Sequence, residues 1–200
     1  MKQRLLRVIG CVAVFCAALR NGTSAQTGSG DVFVPWKVLN PGDSPLTTSL
    51  VLYWIPGSRD EIRHSSLLIS RPLATYSTQC VGMQLVRPDD DVMIAKLEGT
   101  GKLPLCVLAH SDGTAIARVG GDHNGLRSAD VEKMVRDELD SRETAIEQAL
   151  DGARQKLGAG DRPAAIDLYR QVAAEQCLFP RQAHDAQKAL KKLGVEAAAK

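Results

Sequence analysis

Apolar residues follow two patterns along this chain. Between residues 50 and 120 they come in short runs bounded by Gly, Pro, Asn and Asp; beyond residue 128 they recur at helical spacing. The run Leu50-Val51-Leu52-Tyr53-Trp54-Ile55 is continuous, as in a strand covered on both faces. Residues 81–86 give a second strand. Residues 105–109 and 115–119 flank Ser111-Asp112-Gly113-Thr114, and Asp-Gly between two strand-like runs predicts a hairpin, stopped by Gly120-Gly121. Residues 32–39 read as an edge strand or extended arm, because Pro35 cannot donate to a ladder, and residues 40–45 form a turn. After Pro56-Gly57, Ser58-Arg59-Asp60-Glu61 fits a capping box. It predicts one helix carrying Ile62, Leu67, Leu68 and Ile69 and ending before Pro72. Residues 91–97 predict a short helix, broken by Gly99 and Gly101.

Ser128 is placed to cap a helix with Val131, Met134, Val135 and Leu139 on one side. From Arg142 onward the pattern is helical. Ile146, Ala149, Leu150, Ala153 and Leu157 make one stripe, and Gly158-Ala159-Gly160-Asp161 makes a turn. Pro163 opens a helix lined by Ile166, Tyr169 and Val172. Phe179-Pro180 leads into a last helix with Ala186, Leu190 and Leu193, closed by Gly194. Residues 140–144 are polar all round, which marks a hinge or the exposed middle of one long helix. The domain boundary is drawn there: a linker and arm at 26–44, a first domain at 45–142 and a helical tail at 143–200.

The composition is that of a soluble globular protein. The N-terminus reads as a signal peptide over 1–25, with a basic start, an apolar stretch too short to span a bilayer, and small residues at Thr23-Ser24-Ala25. Val8-Ile9-Gly10-Cys11 has the look of a lipid-attachment signal, but most of the apolar stretch follows it, which argues against a lipid anchor. The expected location is therefore exported, periplasmic or extracellular, with no transmembrane span after the leader. The leader holds four cationic residues and no anionic ones, so without it the formal charge moves from +2 to −2. With no basic, aromatic-interleaved patch left, nucleic-acid binding has no support. Cys80, Cys106 and Cys177 remain, too widely spaced for a CxxC or a zinc ribbon. Cys80 and Cys106 could pair, or could stay single buried thiols; Cys106, inside an apolar run, suits the second reading.

The order strand, helix, strand, helix, hairpin, helix over about residues 45–140 resembles the thioredoxin fold, an α/β three-layer α/β/α sandwich. Leu50-Val51-Leu52-Tyr53-Trp54 is similar to the strand that ends in aromatics before the active-site turn. Lys102-Leu103-Pro104-Leu105 is similar to the cis-proline segment, and residues 109–121 to the final hairpin. The resemblance breaks at the chemistry. If Trp54 ends the strand, Ser58 and Glu61 stand where the family has its two cysteines, and Leu52 stands where it has a buried acid. If Trp54 is adjacent to the motif, Ile55 and Ser58 take those positions. Neither register supplies the attacking and resolving thiols that disulfide exchange needs. The tail from about residue 144 resembles a tetratricopeptide repeat through Gly160-Asp161, Ala165 and Tyr169, with Gly152 and Lys156 off the pattern. A single repeat cannot bury its own apolar faces, so the tail must pack on the first domain, on another copy or on a partner, unless it is a plain helical extension of the core.

The resemblance implies a redox-inactive module that binds another protein or a peptide, with no cofactor and no metal. Trp54, Ile55, Pro56, Gly57, Ser58, Leu103 and Pro104 are the expected contact groove, where an extended segment pairs beside the proline loop. Ser58 is expected to act as a helix cap, since a nucleophilic serine needs a base in reach. His64, His110, His123 and His184 fall in no hydrolase motif and no metal-ligand spacing. The alternative is a single-thiol oxidoreductase or peroxidase-like enzyme using Cys80 or Cys106. A third reading gives the helical tail the binding role.

Overall fold

Every residue of Leu50–Ile55 and of Val81–Val86 is buried, as inner strands between two covered faces require. The computed structural model describes residues 32–40, 42–43, 46, 48–97, 102–122 and 125–195. The expected leader, the break at 99–101, His123 and part of the turn after Asn40 lie outside them. The described strands are β1 (Lys37–Leu39), β2 (Leu50–Ile55), β3 (Val81–Val86), β4 (Leu105–His110) and β5 (Ala115–Gly120). They form one five-stranded mixed sheet in the order β1-β3-β2-β4-β5. β1 and β2 run parallel to β3, while β4 runs antiparallel to β2 and to β5. The expected edge strand is present but short, and the expected hairpin is present with Gly113 at φ 90°.

The helices are α1 (Arg59–His64), α2 (Arg71–Thr78), α3 (Asp91–Lys96), α4 (Ser128–Gly158), α5 (Arg162–Ala174) and α6 (Pro180–Lys192). Strand alternation sends Leu50, Leu52 and Trp54 to one face, with α2 and α4, and Val51, Tyr53 and Ile55 to the other, with α3. The single helix expected from Ser58 to Pro72 is corrected to three pieces. Ser65 turns extended and caps a short 3-10 segment, Ser66–Leu68. Ser70 then caps α2 through the Leu73 N–H, with Pro72 inside its first turn. Pro72 starts a helix here because the N–H it lacks would be unpaired in a first turn anyway. Ser70 also donates to Glu132 of α4 at 2.7 Å, joining the two helices.

α4 runs unbroken through residues 140–144, which are the exposed middle of one long helix. Ser128 is its first residue, not its cap; Arg127 holds the cap position and gives no side-chain bond. The apolar stripe of α4 beyond Arg142 packs with Tyr169 and Val172 of α5 and Leu190 of α6, in the same cluster as Trp54 and Val135. Asp161 caps α5 and Gly194 closes α6 at φ 68°. A disulfide links Cys80, just after α2, to Cys177, between α5 and α6, across 97 residues. The tail is thus bonded to the sheet-bearing part. Among the described residues no helix is long and apolar enough to cross a membrane.

Candidate functional site

The cap of α1 and the loop before β4 meet in a cleft at one end of the sheet. Ser58 Oγ accepts from the Glu61 N–H at 3.2 Å, and Glu61 Oε2 accepts from the Gly57 N–H at 2.7 Å. The capping box closes one residue earlier than a standard one, because the glutamate reaches Gly57 and not the cap itself. Opposite this turn lies Pro104, joined to Leu103 by a cis peptide bond. A Cβ on Gly57 would sit 3.4 Å from the proline ring, and one on Gly121 would sit 2.6 Å from it, so two glycines clamp Pro104. The Gly121 N–H donates to the Pro104 carbonyl at 2.8 Å. The cleft holds about 650 Å³ and is lined by Gly57, Ser58, Glu61, Leu103, Pro104 and Leu126, among others.

Within the described residues the main-chain N–H and carbonyl of Leu103 take no part in a hydrogen bond. Leu103 is half-buried at the cleft wall. Main-chain groups at a cleft wall can take water or an extended chain as partners.

Of the expected groove residues, Gly57, Ser58, Leu103 and Pro104 come together in this cleft. Trp54, Ile55 and Pro56 do not take part in its surface. Trp54 and Ile55 are 0% exposed and Pro56 is buried. β2 lies between β3 and β4, and its faces are covered by two core clusters, Trp54 lying in one and Ile55 in the other. Trp54 packs on Trp36, ring centroids 5.4 Å apart, and its indole N–H finds no partner among the described residues. His64, Ser65, Ser66, Asp122 and Gly125 also line the cleft. Only the position of Ser65 and Ser66, just past a predicted capping box, hinted at this.

The thiols are placed otherwise than expected. Cys80 pairs with Cys177 and not with Cys106. Cys106 is free, fully buried on β4, and opposite Trp54. Burial pushes its thiol well above the ordinary value of 9.0, and the Glu61 carboxylate adds to the shift. A thiol held protonated inside the core is no nucleophile. Because its folded pKa is raised, Cys106 should lower stability only as pH rises past 9.0, where the unfolded chain alone ionises. Alkylation of Cys106 by iodoacetamide at pH 8 is expected to be slower by roughly 100-fold or more in the folded protein than in urea; equal rates would show that the thiol is accessible. His64 Nδ1 lies 3.0 Å from the Asp60 carbonyl and His110 Nδ1 lies 3.2 Å from Arg142, so both rings have surface partners. Comparison with protein-family models and with curated proteins gives no match to this chain.

Proposed function

We propose that this chain is an exported, thioredoxin-like module without dithiol chemistry that holds an extended segment of another protein in its cleft. The observation that carries the reading is the main chain of half-buried Leu103 at the cleft wall beside Pro104, which takes no hydrogen bond among the described residues and to which a strand can add. The turn across the cleft supports it: Ser58 and Glu61 are engaged in capping hydrogen bonds and offer no thiol. The order of strands and helices, and Pro104 packed against the turn that follows β2, support the thioredoxin-like reading. On this reading the tetratricopeptide-like tail is a buttress, since its apolar faces are used inside the chain.

The test starts from peptides selected out of a random displayed library on the immobilised, disulfide-intact protein. Ser66 is exposed on the cleft wall, and Ser66→Trp fills that space. The variant should bind the enriched peptide roughly tenfold or more weakly at an almost unchanged melting temperature, since exposed substitutions cost little. Enriched peptides that bind the variant as well as they bind the native protein would contradict the proposal.

A further inference from the structure

The lining of the Leu103 cleft is lopsided in charge. Among the described residues it holds three carboxylates, Asp60, Glu61 and Asp122, one histidine, and no lysine or arginine. Asp122 has a partner of its own. Asp60 faces Arg63 at 3.9 Å with both side chains well exposed, a pair that water and salt screen. Glu61 makes no ion pair among the described residues. It is the carboxylate whose charge the chain leaves uncompensated.

The position of that charge is fixed. Glu61 Oε2 accepts from the Gly57 N–H at 2.7 Å, and a carboxylate oxygen has room for a second donor. The N–H is a dipole and not a counter-charge. Glu61 Oε1 is buried with no partner among the described residues. A Cβ built on Gly57 would lie 3.3 Å from Glu61 Oε2 and 3.4 Å from the Pro104 nitrogen. One carbon atom there would touch both, so the carboxylate stands beside the main chain that follows Leu103. A long side chain on a segment paired with Leu103 reaches it.

An extended segment that covers the cleft takes water away from this carboxylate. A charge that loses water without gaining a counter-charge weakens binding, and a like charge brought against it weakens binding further. Lysine and arginine supply the hydrogen-bond donor and the opposite charge together.

Given the peptide-holding cleft proposed above, we infer that Glu61 selects its occupant: the partner is an extended polypeptide segment with a lysine or arginine next to the residues that pair with Leu103. Acidic segments are turned away by the same carboxylate.

The test is selection from a random displayed library at low salt, run in parallel on the native protein and on Glu61→Gln. The glutamine oxygen can still accept from the Gly57 N–H, so the variant removes the charge and keeps the turn. Peptides enriched on the native protein should carry lysine or arginine at one position roughly threefold more often than the starting library, and those enriched on Glu61→Gln should not. An enriched peptide, labelled with fluorescein and followed by anisotropy, should bind the native protein roughly tenfold more weakly once its basic residue is glutamine. That is the scale of one charge-assisted hydrogen bond. On Glu61→Gln the same change in the peptide should cost less than about twofold, which makes the pair a double-mutant cycle. Enriched peptides that Ser66→Trp weakens but that show no excess of basic residues would overturn the inference and leave the cleft as a peptide site. A basic preference of equal strength on Glu61→Gln would also overturn it. So would native protein that binds the peptide equally well with glutamate in place of the basic residue, a result that holds even if Glu61→Gln does not fold. Enriched peptides indifferent to Ser66→Trp, or no enrichment at all, would remove the cleft reading and this inference with it.

Discussion

Replacing Cys80 and Cys177 together by serine should lower the unfolding free energy by about 4 kcal/mol, since the loop that the disulfide closes is long. The two cysteines are 97 residues apart, so the cross-link removes many conformations from the unfolded chain. It also bonds the α5–α6 turn to the end of α2, where Leu178 and Phe179 are buried. In urea the unfolding midpoint should fall by roughly 2 M, for a slope of about 2 kcal/mol per molar. A second variant separates the cross-link from the backbone. Cys80 sits at φ 62°, the left-handed region just past a helix end where glycine is the usual residue. Cys80→Gly with Cys177→Ser should therefore lose about 1 kcal/mol less than the serine pair, because glycine carries no Cβ penalty there. A loss below about 1 kcal/mol in the serine pair would mean that the bond adds little to the packing. Equal losses in the two double variants would mean that Cys80 bears no backbone cost.

Gly121→Ala should destabilise the protein by about 2 kcal/mol, the scale of overpacking in a tight site. The added methyl would lie 2.6 Å from Pro104 Cγ and 2.8 Å from the Gly125 carbonyl oxygen. Neither neighbour can swing aside as a flexible side-chain tip would, since one is a ring and the other is backbone. The strain falls on the wall of the cleft, so binding of a selected peptide should weaken with stability. Gly120→Ala, one residue earlier, meets open space and should leave stability unchanged or raise it by up to about 1 kcal/mol. Urea unfolding of both variants checks the contrast. Similar values for the two would mean that Pro104 is not clamped as described.

Much of the architecture is legible in the sequence because burial on both faces and hairpin chemistry leave local marks. Leu50–Ile55, the Asp112-Gly113 hairpin and the α5 and α6 stripes all follow from neighbours in sequence. The helix after Ser58 is less legible. Ser65 and Ser70 are ordinary helix-surface residues by composition, and only their backbone shows them to be caps. The Cys80–Cys177 bond could not be read at all, since spacing carries no information about pairing across 97 residues. In the site, Gly57, Ser58, Leu103 and Pro104 were legible from the resemblance, whereas the burial of Trp54 depends on the position of β2 inside the sheet. The clamp on Pro104 was hidden in Gly121, which by pattern alone is only the end of a strand.

The most direct measurement is amide hydrogen exchange by NMR on the disulfide-intact protein, with and without a peptide enriched by selection. Among the described residues the Leu103 amide has no partner, so it should exchange fast in the free protein and roughly tenfold or more slowly in the complex, as a strand-paired amide does. Protection that appears elsewhere while Leu103 exchanges as before would contradict the cleft as the place where this chain holds its partner.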